Sequence, residues 1–296
     1  MTTKKAAQSK VRIDPAMIKR VIQNLEPDTD CPISPSKLLD GLNLGLETDL
    51  SPPLVAGDRE EFYGRYLLGG ELGRGGMGQV LLARDPDLRR NVALKTFLKS
   101  KKLSARRVGR FISEAQLTAQ LDHPNIMPVY EIGVQPDRGL YFTMKAIRGI
   151  TLQEVVRRLR KADPRTAAEY TQRRLLQIFL QVCMATAYAH DRGVLHRDLK
   201  PANVMLGPFN EVLVMDWGLS RVIRQSMEYE TPADEVPLEP EGTVLRTRDG
   251  AMIGTPGYMS PEQLECREER LDPKSDQFSL GAILYELITY RHAFPG

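Results

Sequence analysis

Residues 66–144 alternate short apolar runs with turn residues, the pattern of a small antiparallel sheet. Within this region, residues 103–121 repeat apolar side chains at helical spacing, which predicts one helix with a mostly apolar face. A glycine-rich turn at 73–78 divides the first apolar stretch into two strands. The apolar runs that predict strands are Tyr66–Leu82 on both sides of that turn, Val92–Lys95, Met127–Gly133 and Leu140–Met144.

Helical patterns dominate the chain from Thr151 onward, so the predicted fold class is α+β, with a sheet followed by helices. Thr151 and Glu154 have the spacing of a capping box at the start of a helix. Residues 171–191 carry a broad apolar stripe and predict a second helix. In a further helix, the apolar residues of 278–290 fall on every side, which predicts burial all round.

Residues 1–62 mix charges with many prolines, and we interpret them as a mobile N-terminal extension. The helix-like stretch in this extension is short, at residues 15–25. A small docking helix at this position is the alternative interpretation. In either case the extension is followed by one large folded region.

The composition of the 296-residue chain is that of an ordinary globular protein, with 42% hydrophobic and 27% charged residues. The net charge is only +3, so charge favours neither nucleic acid nor a membrane surface as a partner. Cys31, Cys183 and Cys266 lie far apart, which predicts no zinc site or disulfide framework and fits a reducing cytoplasm. The sequence has neither an apolar run of about 18 residues nor a signal-peptide pattern, and a membrane anchor beyond residue 296 stays open.

The glycine turn alone allows three interpretations: a structural hairpin, a lid over a nucleotide, or a dinucleotide-binding turn. A dinucleotide turn would be followed by a helix and, about 20 residues later, by an acid. Here a strand follows instead, and Lys95 lies at about that distance, which suits phosphate groups and not a ribose diol. A lysine at the end of a buried strand also needs an anionic partner. The residues of a nucleotide lid would be Leu72, Gly73, Arg74, Gly75, Gly76, Met77, Gly78, Gln79 and Val80.

A short loop at 195–204 sets a carboxylate, an ammonium and a carboxamide at fixed offsets. Asp198 can accept the proton of an attacking hydroxyl, and Lys200 can neutralise a γ-phosphate oxygen. Asn203 offers an oxygen to a hard cation such as Mg²⁺, and Asp216 would supply the second metal ligand. This combination indicates phosphoryl transfer.

With these residues the chain resembles the protein kinases, since it matches H-R-D-L-x-x-x-N at 196–203 and D-[F/W]-G at 216–218 in the family order. Residues 254–262 resemble the end of a kinase activation segment, and Asp276 resembles the aspartate that braces the catalytic loop. The particular strings look most like those of the bacterial Hanks-type serine/threonine kinases.

The resemblance covers about residues 66–296 and implies a bilobal kinase fold. The catalytic domain would occupy 63–296, after an extension at 1–62. Its N-lobe would lie at about 66–144, its hinge at about 145–150, and a partial C-lobe at 151–296.

The resemblance also implies roles for named residues. Lys95 would hold the α- and β-phosphates of ATP while paired with Glu114, so the catalytic set would be Lys95, Glu114, Asp198 and Lys200. Asn203 and Asp216 would hold Mg²⁺, with Mn²⁺ as an alternative. Besides the glycine loop, the nucleotide would contact Ala93, Met144, Ile147 and Leu206.

The pairing of Lys200 with Thr255 is typical of serine/threonine kinases, so the implied partners are protein substrates with serine or threonine acceptors. His196 would pack against the metal-binding tripeptide and do no chemistry. Thr243 and Thr247, in a polar segment upstream of Gly254, would be sites of autophosphorylation.

The chain ends soon after the predicted helix at 278–290, where kinases continue through more helices. We therefore expect an incomplete lobe with exposed apolar surface, and a Glu262 that lacks its usual arginine partner. A catalytically impaired kinase-fold scaffold is the alternative function, although the presence of every polar catalytic residue counts against it. A dinucleotide-dependent oxidoreductase is disfavoured by Lys95 and by the absence of repeated βαβ units.

Overall fold

The computed structural model describes residues 61–75, 78–97, 105–135, 138–218, 220–222, 255–265, 267 and 270–294. The predicted N-terminal extension therefore lies almost entirely outside the described residues. Gly76 and Met77 of the glycine loop, and the proposed acceptors Thr243 and Thr247, also lie outside them.

The first part of the described chain is a six-stranded antiparallel sheet with one helix, as the apolar pattern predicts. Its elements are β1 (Phe62–Tyr63), β2 (Tyr66–Arg74), β3 (Gly78–Asp85), β4 (Arg90–Phe97), α1 (Ala105–Gln120), β5 (Val129–Gln135) and β6 (Gly139–Lys145). The strand order is β1-β2-β3-β4-β6-β5, so β5 is an edge strand.

Helix α1 is fixed on the sheet by aromatic packing. Phe111 of α1 lies between Phe97 of β4 and Phe142 of β6, with ring centroids 4.6 and 5.0 Å apart. All three rings and Ala115 of α1 are buried in one cluster. Because buried aromatic side chains supply much of the apolar area of a small core, this cluster sets the position of α1.

The second part is mainly helical, with short strands between the helices. Its elements are β7 (Ile150–Thr151), α2 (Leu152–Arg160), α3 (Pro164–Glu169), α4 (Gln172–Asp191), β8 (Val194–Leu195), β9 (Val204–Leu206), β10 (Val212–Val214), β11 (Arg221–Val222), α5 (Pro261–Leu264) and α6 (Pro273–Thr289). Strands β10, β9 and β7 form one small sheet, and β11 pairs with β8. The core of this part packs α2, α4 and α6 together, with Leu175, Ile283 and Leu287 fully buried.

The two parts are joined by backbone hydrogen bonds as well as by the connecting segment 146–149. The N–H of Met127 donates to Val214 O at 3.1 Å, and the N–H of Val214 donates to Asn125 O at 2.8 Å. Lys145, at the end of the sheet, forms an ion pair with Glu211 of the helical part. These contacts hold the sheet against β10, the strand that precedes the predicted metal ligand Asp216.

Helix α6 is buried on one side only, so this helix with apolar residues all round is covered in part, as expected from the sequence. Ala282, Ile283 and Leu287 are buried, whereas Tyr285 and Ile288 are about half exposed. The exposed pair fits the expected apolar surface.

Among the described residues, no helix has both the length and the hydropathy that a membrane crossing requires.

Candidate active site

One face of the sheet gathers four of the predicted nucleotide-binding residues. Val80 pairs across β3 and β4 with Lys95, and Ala93 pairs across β4 and β6 with Met144. Directly opposite residues share a face, as do residues two apart on one strand, so all four lie on one side of the sheet. That side faces α1, because Lys95 contacts Glu114 of that helix.

Lys95 lies between two carboxylates. Its ammonium donates a hydrogen bond to Glu114 Oε1 and lies 3.7 Å from Asp216 Oδ1. Burial acts to lower the pKa of Lys95, but the negative charges of Glu114 and Asp216 raise it above its ordinary value. The lysine therefore stays charged, and the pair joins the sheet to α1 as the sequence analysis predicts.

The described residues of the glycine loop bring the end of β2 next to the start of β3. The N–H of Gly75 donates to Gly78 O at 2.9 Å, while Gly73 pairs with Val80 and Arg74 with Gln79 across the strands. Leu72 precedes the turn and is half exposed. A Cβ on Gly78 would overlap the carbonyl oxygen of Thr96, so this position needs glycine because β3 and β4 approach closely there.

The polar residues of the 195–204 loop contact one another as well as Thr255. Lys200 Nζ donates to Asp198 Oδ2 at 2.7 Å and to Thr255 Oγ1 at 2.9 Å. Asn203 Nδ2 donates to Asp198 O at 2.8 Å and to Asp198 Oδ2 at 3.1 Å. The structure thus shows the predicted pairing of Lys200 with Thr255. Asp198 is held in place by two neighbours that the sequence motif also contains.

Asp276 braces this loop from the buried start of α6. Its Oδ1 accepts from the N–H of Arg197 and its Oδ2 from the N–H of His196, both at 2.8 Å, and His190 Nε2 lies 2.8 Å from Oδ2. Burial acts to raise the pKa of Asp276, but the hydrogen bonds from His190 and from the backbone N–H groups of residues 196 and 197 hold it below its ordinary value. Asp276 therefore remains a carboxylate, and the predicted brace is present.

Asp216 follows β10 with a left-handed backbone, φ 64°. Its carboxylate is half exposed and faces Lys95, and the preceding N–H of Met215 donates to Asn203 O at 2.8 Å. The His196 ring lies 4.6 Å from the buried Trp217 ring, and its Nε2 lies 3.0 Å from Met215 O. As expected, His196 packs against the tripeptide that contains Asp216.

Residues of the connecting segment lie against β9. A Cβ on Gly149 would overlap Leu206 O, and a Cβ on Gly207 would lie 3.1 Å from Ile147 Cγ2. Leu206 is buried and pairs with Ile150. The structure therefore brings Ile147 and Leu206, the remaining predicted nucleotide contacts, to the same region of the junction.

Three polar contacts of the segment 255–265 were missed by the sequence analysis. Glu262 Oε1 accepts from the Ser275 hydroxyl at 2.5 Å, a partner other than the arginine that the family resemblance implies. Gln263 Nε2 donates to Arg197 O at 2.8 Å. Tyr258 donates its hydroxyl hydrogen to the buried Glu286 of α6. Each pair joins residues at least 13 positions apart, and the sequence around either residue does not indicate its partner.

Comparison with known proteins agrees with this geometry. The model of the family described as "Protein kinase domain" matches residues 66–296. The chain is 38% identical over 231 residues to the serine/threonine-protein kinase PknD of Protochlamydia amoebophila, covering 75% of this chain and 23% of that protein. It is 38% identical over 235 residues to PknD of Chlamydia felis, covering 78% and 24% of the two chains.

A third relative is PknD of Chlamydia trachomatis serovar D, which is 37% identical over 239 residues, covering 78% of this chain and 25% of that protein. The chain thus spans about a quarter of the length of the curated relatives it matches. The matched region contains every residue of the site described above. This chain belongs to the protein kinase domain family and is similar to the bacterial serine/threonine kinases within it.

Proposed function

We propose that residues 63–296 form the catalytic domain of a serine/threonine kinase, which transfers the γ-phosphate of ATP to hydroxyl groups of protein substrates. The observation that carries the proposal is the hydrogen-bonded group of Asp198, Lys200, Asn203 and Thr255. Asp198 supplies a proton acceptor, Lys200 a positive charge and Asn203 a carboxamide. Thr255 belongs to residues 254–262, which resemble the end of a kinase activation segment. Phosphoryl transfer needs these groups because positioning and charge stabilisation supply most of its catalysis.

In this mechanism Asp198 orients the serine or threonine hydroxyl and accepts its proton as the oxygen attacks phosphorus. Lys200, which already contacts Asp198 at 2.7 Å, stabilises the negative charge on the transferred group. Lys95 holds the α- and β-phosphates, and Glu114 keeps its ammonium in position. Thr255 fixes Lys200 from the activation segment, which makes an ordered segment a condition for activity.

Asn203 and Asp216 would hold Mg²⁺, or Mn²⁺ in its place. Asn203 donates its amide N–H groups to Asp198, so the carboxamide oxygen is the atom left to bind a cation, and Asp216 adds a carboxylate. Among the described residues there is no group of three or more His, Cys, Asp and Glu side chains that could hold a metal alone. This fits Mg²⁺, which takes one or two protein oxygens together with substrate phosphates and water. The bound ion would neutralise charge on the phosphate oxygens.

The adenine and ribose of ATP would lie between the sheet and β9. Val80, Ala93 and Met144 share the face that carries Lys95, while Ile147 and Leu206 lie at the junction. Leu72 and the glycine loop, Gly73 to Gln79, would close over the phosphates. Because the sheet and the helical part each supply one side, binding of ATP would engage both.

The alternative is a kinase-fold scaffold that binds nucleotide or protein partners without transfer. Nothing in the geometry favours it, since Lys95, Asp198, Asn203 and Asp216 are all present and their neighbours hold them in place. A cytoplasmic location is part of the proposal, because ATP is the substrate and the cysteine spacing fits a reducing compartment.

Transfer of label from [γ-³²P]ATP to a mixture of generic protein acceptors, followed by phosphoamino-acid analysis, tests the proposal. Phosphoserine and phosphothreonine are expected with the wild-type chain and Mg²⁺, and Lys95→Met should lose the transfer. Lys161→Met, which removes an exposed lysine, is the matched control and should retain it. ATP binding without transfer in the wild type would favour the scaffold, and phosphotyrosine as the main product would contradict the assigned specificity.

We also propose autophosphorylation at Thr243 or Thr247, since phosphate in an activation segment often orders it through a neighbouring arginine such as Arg197. Mass spectrometry after incubation with Mg-ATP should find phosphate on one of these threonines. Unmodified peptides covering both positions from an active preparation would contradict this proposal.

A further inference from the structure

The β5 edge of the sheet, as far as the chain is described, carries an apolar surface beside α1. Ile132 pairs with Phe142, and Val134 pairs with Leu140. Both β5 side chains therefore lie on the sheet face that carries the buried cluster of Phe97, Phe111 and Phe142. Leu140 of β6 and Val108 of α1 are both partly buried against that cluster. Ile132 is 40% and Val134 69% exposed. We call the surface formed by Val108, Ile132, Val134 and Leu140 the edge surface.

The start of the described chain is fixed next to the same hairpin. Glu61 forms an ion pair of 2.7 Å with Arg138, in the turn between β5 and β6. The Tyr63 hydroxyl donates to Arg138 O at 2.6 Å, and the N–H of Leu68 donates to Glu61 O at 2.7 Å. Residues 1–60 therefore join the folded domain at the tip of this hairpin, close to Leu140 and its partner Val134.

One stretch of those preceding residues has the composition of a docking helix. At residues 15–25 the apolar side chains are Met17, Ile18, Val21, Ile22 and Leu25, which would share one side of a helix. Lys19 and Gln23 would lie on the opposite side. Such an apolar stripe on a short, otherwise polar helix is the type that fits an apolar groove.

We propose that residues 15–25 of this chain bind the edge surface as an amphipathic helix, with Met17, Ile18, Val21, Ile22 and Leu25 against Ile132 and Val134. The roughly 35 residues that connect this stretch to Glu61 can span up to about 120 Å when extended, far more than the domain requires. The tether starts at the hairpin that carries the edge surface, so the stretch is held at high local concentration there.

Tethering also favours this occupant over a second copy of the chain. A stable interface between separate proteins buries about 1,200–2,000 Å² in total, which two exposed side chains and their partly buried neighbours do not supply. A covalently attached segment needs much less contact area, because its effective concentration reaches the millimolar range. The small edge surface is therefore large enough for a contact with a stretch of the same chain that is attached nearby.

Cross-linking in the full chain tests the contact without any need for phosphotransfer. Cys31, Cys183 and Cys266 are replaced by serine, and Asn24→Cys is combined with Val134→Cys, which keeps a small apolar side chain at the edge surface. The control pair combines Asn24→Cys with Leu180→Cys, an apolar position on α4 that is 61% exposed against 69% for Val134. With a short bismaleimide in dilute protein, the first pair should form an intramolecular cross-link at least about tenfold faster than the control.

Two further variants of the cross-linking pair separate binding through the apolar face from chance proximity. Ile18→Asp with Ile22→Asp should abolish the cross-link, whereas Lys19→Asp with Gln23→Asp, on the opposite side of the predicted helix, should preserve it. Equal rates for the two cysteine pairs, or a cross-link that survives Ile18→Asp with Ile22→Asp, would overturn the proposal. A cross-link that forms only between two molecules would assign the edge surface to a second copy and would also overturn it.

Discussion

At the scale of single residues, Asp276 shows how one buried side chain sets the geometry of the 195–204 loop. Its two oxygens accept the N–H groups of residues 196 and 197 and contact His190, and its side chain is almost fully buried. Replacing it by asparagine substitutes an amide nitrogen for one acceptor and leaves a backbone N–H group without a partner. We expect Asp276→Asn to lower the free energy of unfolding by about 3 kcal/mol, measured by urea titration.

The same variant carries a pH prediction. The pKa of Asp276 in the folded chain is below its ordinary value of 3.8, so the stability it contributes is fully present above that value and is lost as pH falls through the lower, folded value. The difference in unfolding free energy between wild type and Asp276→Asn should therefore be constant from pH 8 to pH 5 and shrink below pH 4. Asp191→Asn, at an exposed position, should show no such difference, and a gap that widens in acid would contradict the assignment.

The site residues that have motif spacing could be predicted from the sequence. Residues whose role depends on contact with one distant partner could not. Lys95, Glu114 and Asp198 have fixed intervals in the family, and the structure shows each with its expected neighbour. Ser275 with Glu262 and Tyr258 with Glu286 have no such interval. Their pairing depends on how α6 packs against the activation segment, which is a tertiary property.

At the scale of elements, the start of α2 shows a motif that is only half formed. Thr151 Oγ1 accepts from the N–H of Glu154 at 3.2 Å, as in a capping box. The Glu154 carboxylate instead accepts from Arg157 and Arg158 on the same helix, and these contacts lower its pKa to about 2. The sequence signal thus predicts the helix start correctly and the role of Glu154 incorrectly, because two arginines compete for the carboxylate.

The two residues should differ in their effect on stability. Thr151→Ala should cost about 1 kcal/mol through loss of the cap, and Glu154→Gln should have a smaller effect because its arginine partners are exposed to solvent. Thermal unfolding of both variants measures the difference. Equal losses would indicate a complete capping box in solution.

The contact between Tyr258 and Glu286 links the activation segment to α6. Burial and the hydrogen bond to Glu286 raise the pKa of Tyr258, so the phenol stays protonated and continues to donate. Tyr258→Phe removes the donor to a buried carboxylate and should cost about 1.5–3 kcal/mol. Phosphotransfer should fall as well, since Thr255, which contacts Lys200, lies on the same segment.

Tyr285→Phe is the control for this variant, because Tyr285 lies on the same helix with its side chain about half exposed. It should leave both the melting temperature and the transfer rate unchanged. If the two phenylalanine variants behave alike, the buried hydrogen bond does not order the segment.

At the scale of the whole molecule, the fold class follows from the sequence pattern, and the arrangement of the two parts does not. The alternation of apolar runs predicts the antiparallel sheet, and helical spacing predicts α1 and α4 to within two residues at each end. The edge position of β5 and the one-sided burial of α6 depend on contacts between distant elements. Strand β1 was missed because Phe62 and Tyr63 form too short a run to give a period.

Binding of ATP between the two parts should stabilise the molecule as one unit. At a concentration 100 times its Kd, Mg-ATP should add about 2.7 kcal/mol to the free energy of unfolding, whereas NAD should add nothing. Asp216→Asn should lose the part of this gain that depends on Mg²⁺. A stabilisation by NAD, or one by ATP that is indifferent to both metal and Asp216, would contradict the proposed nucleotide site.

The proposed phosphoryl transfer depends most directly on Asp198 as its proton acceptor. The decisive measurement is single-turnover transfer from ATP to an acceptor protein, with ATP affinity measured in parallel, for wild type, Asp198→Asn and the exposed control Asp191→Asn. We expect Asp198→Asn to bind ATP normally and to transfer phosphate at least about 10²-fold more slowly, with Asp191→Asn unchanged. Undiminished transfer by Asp198→Asn would show that the chemistry belongs to another residue.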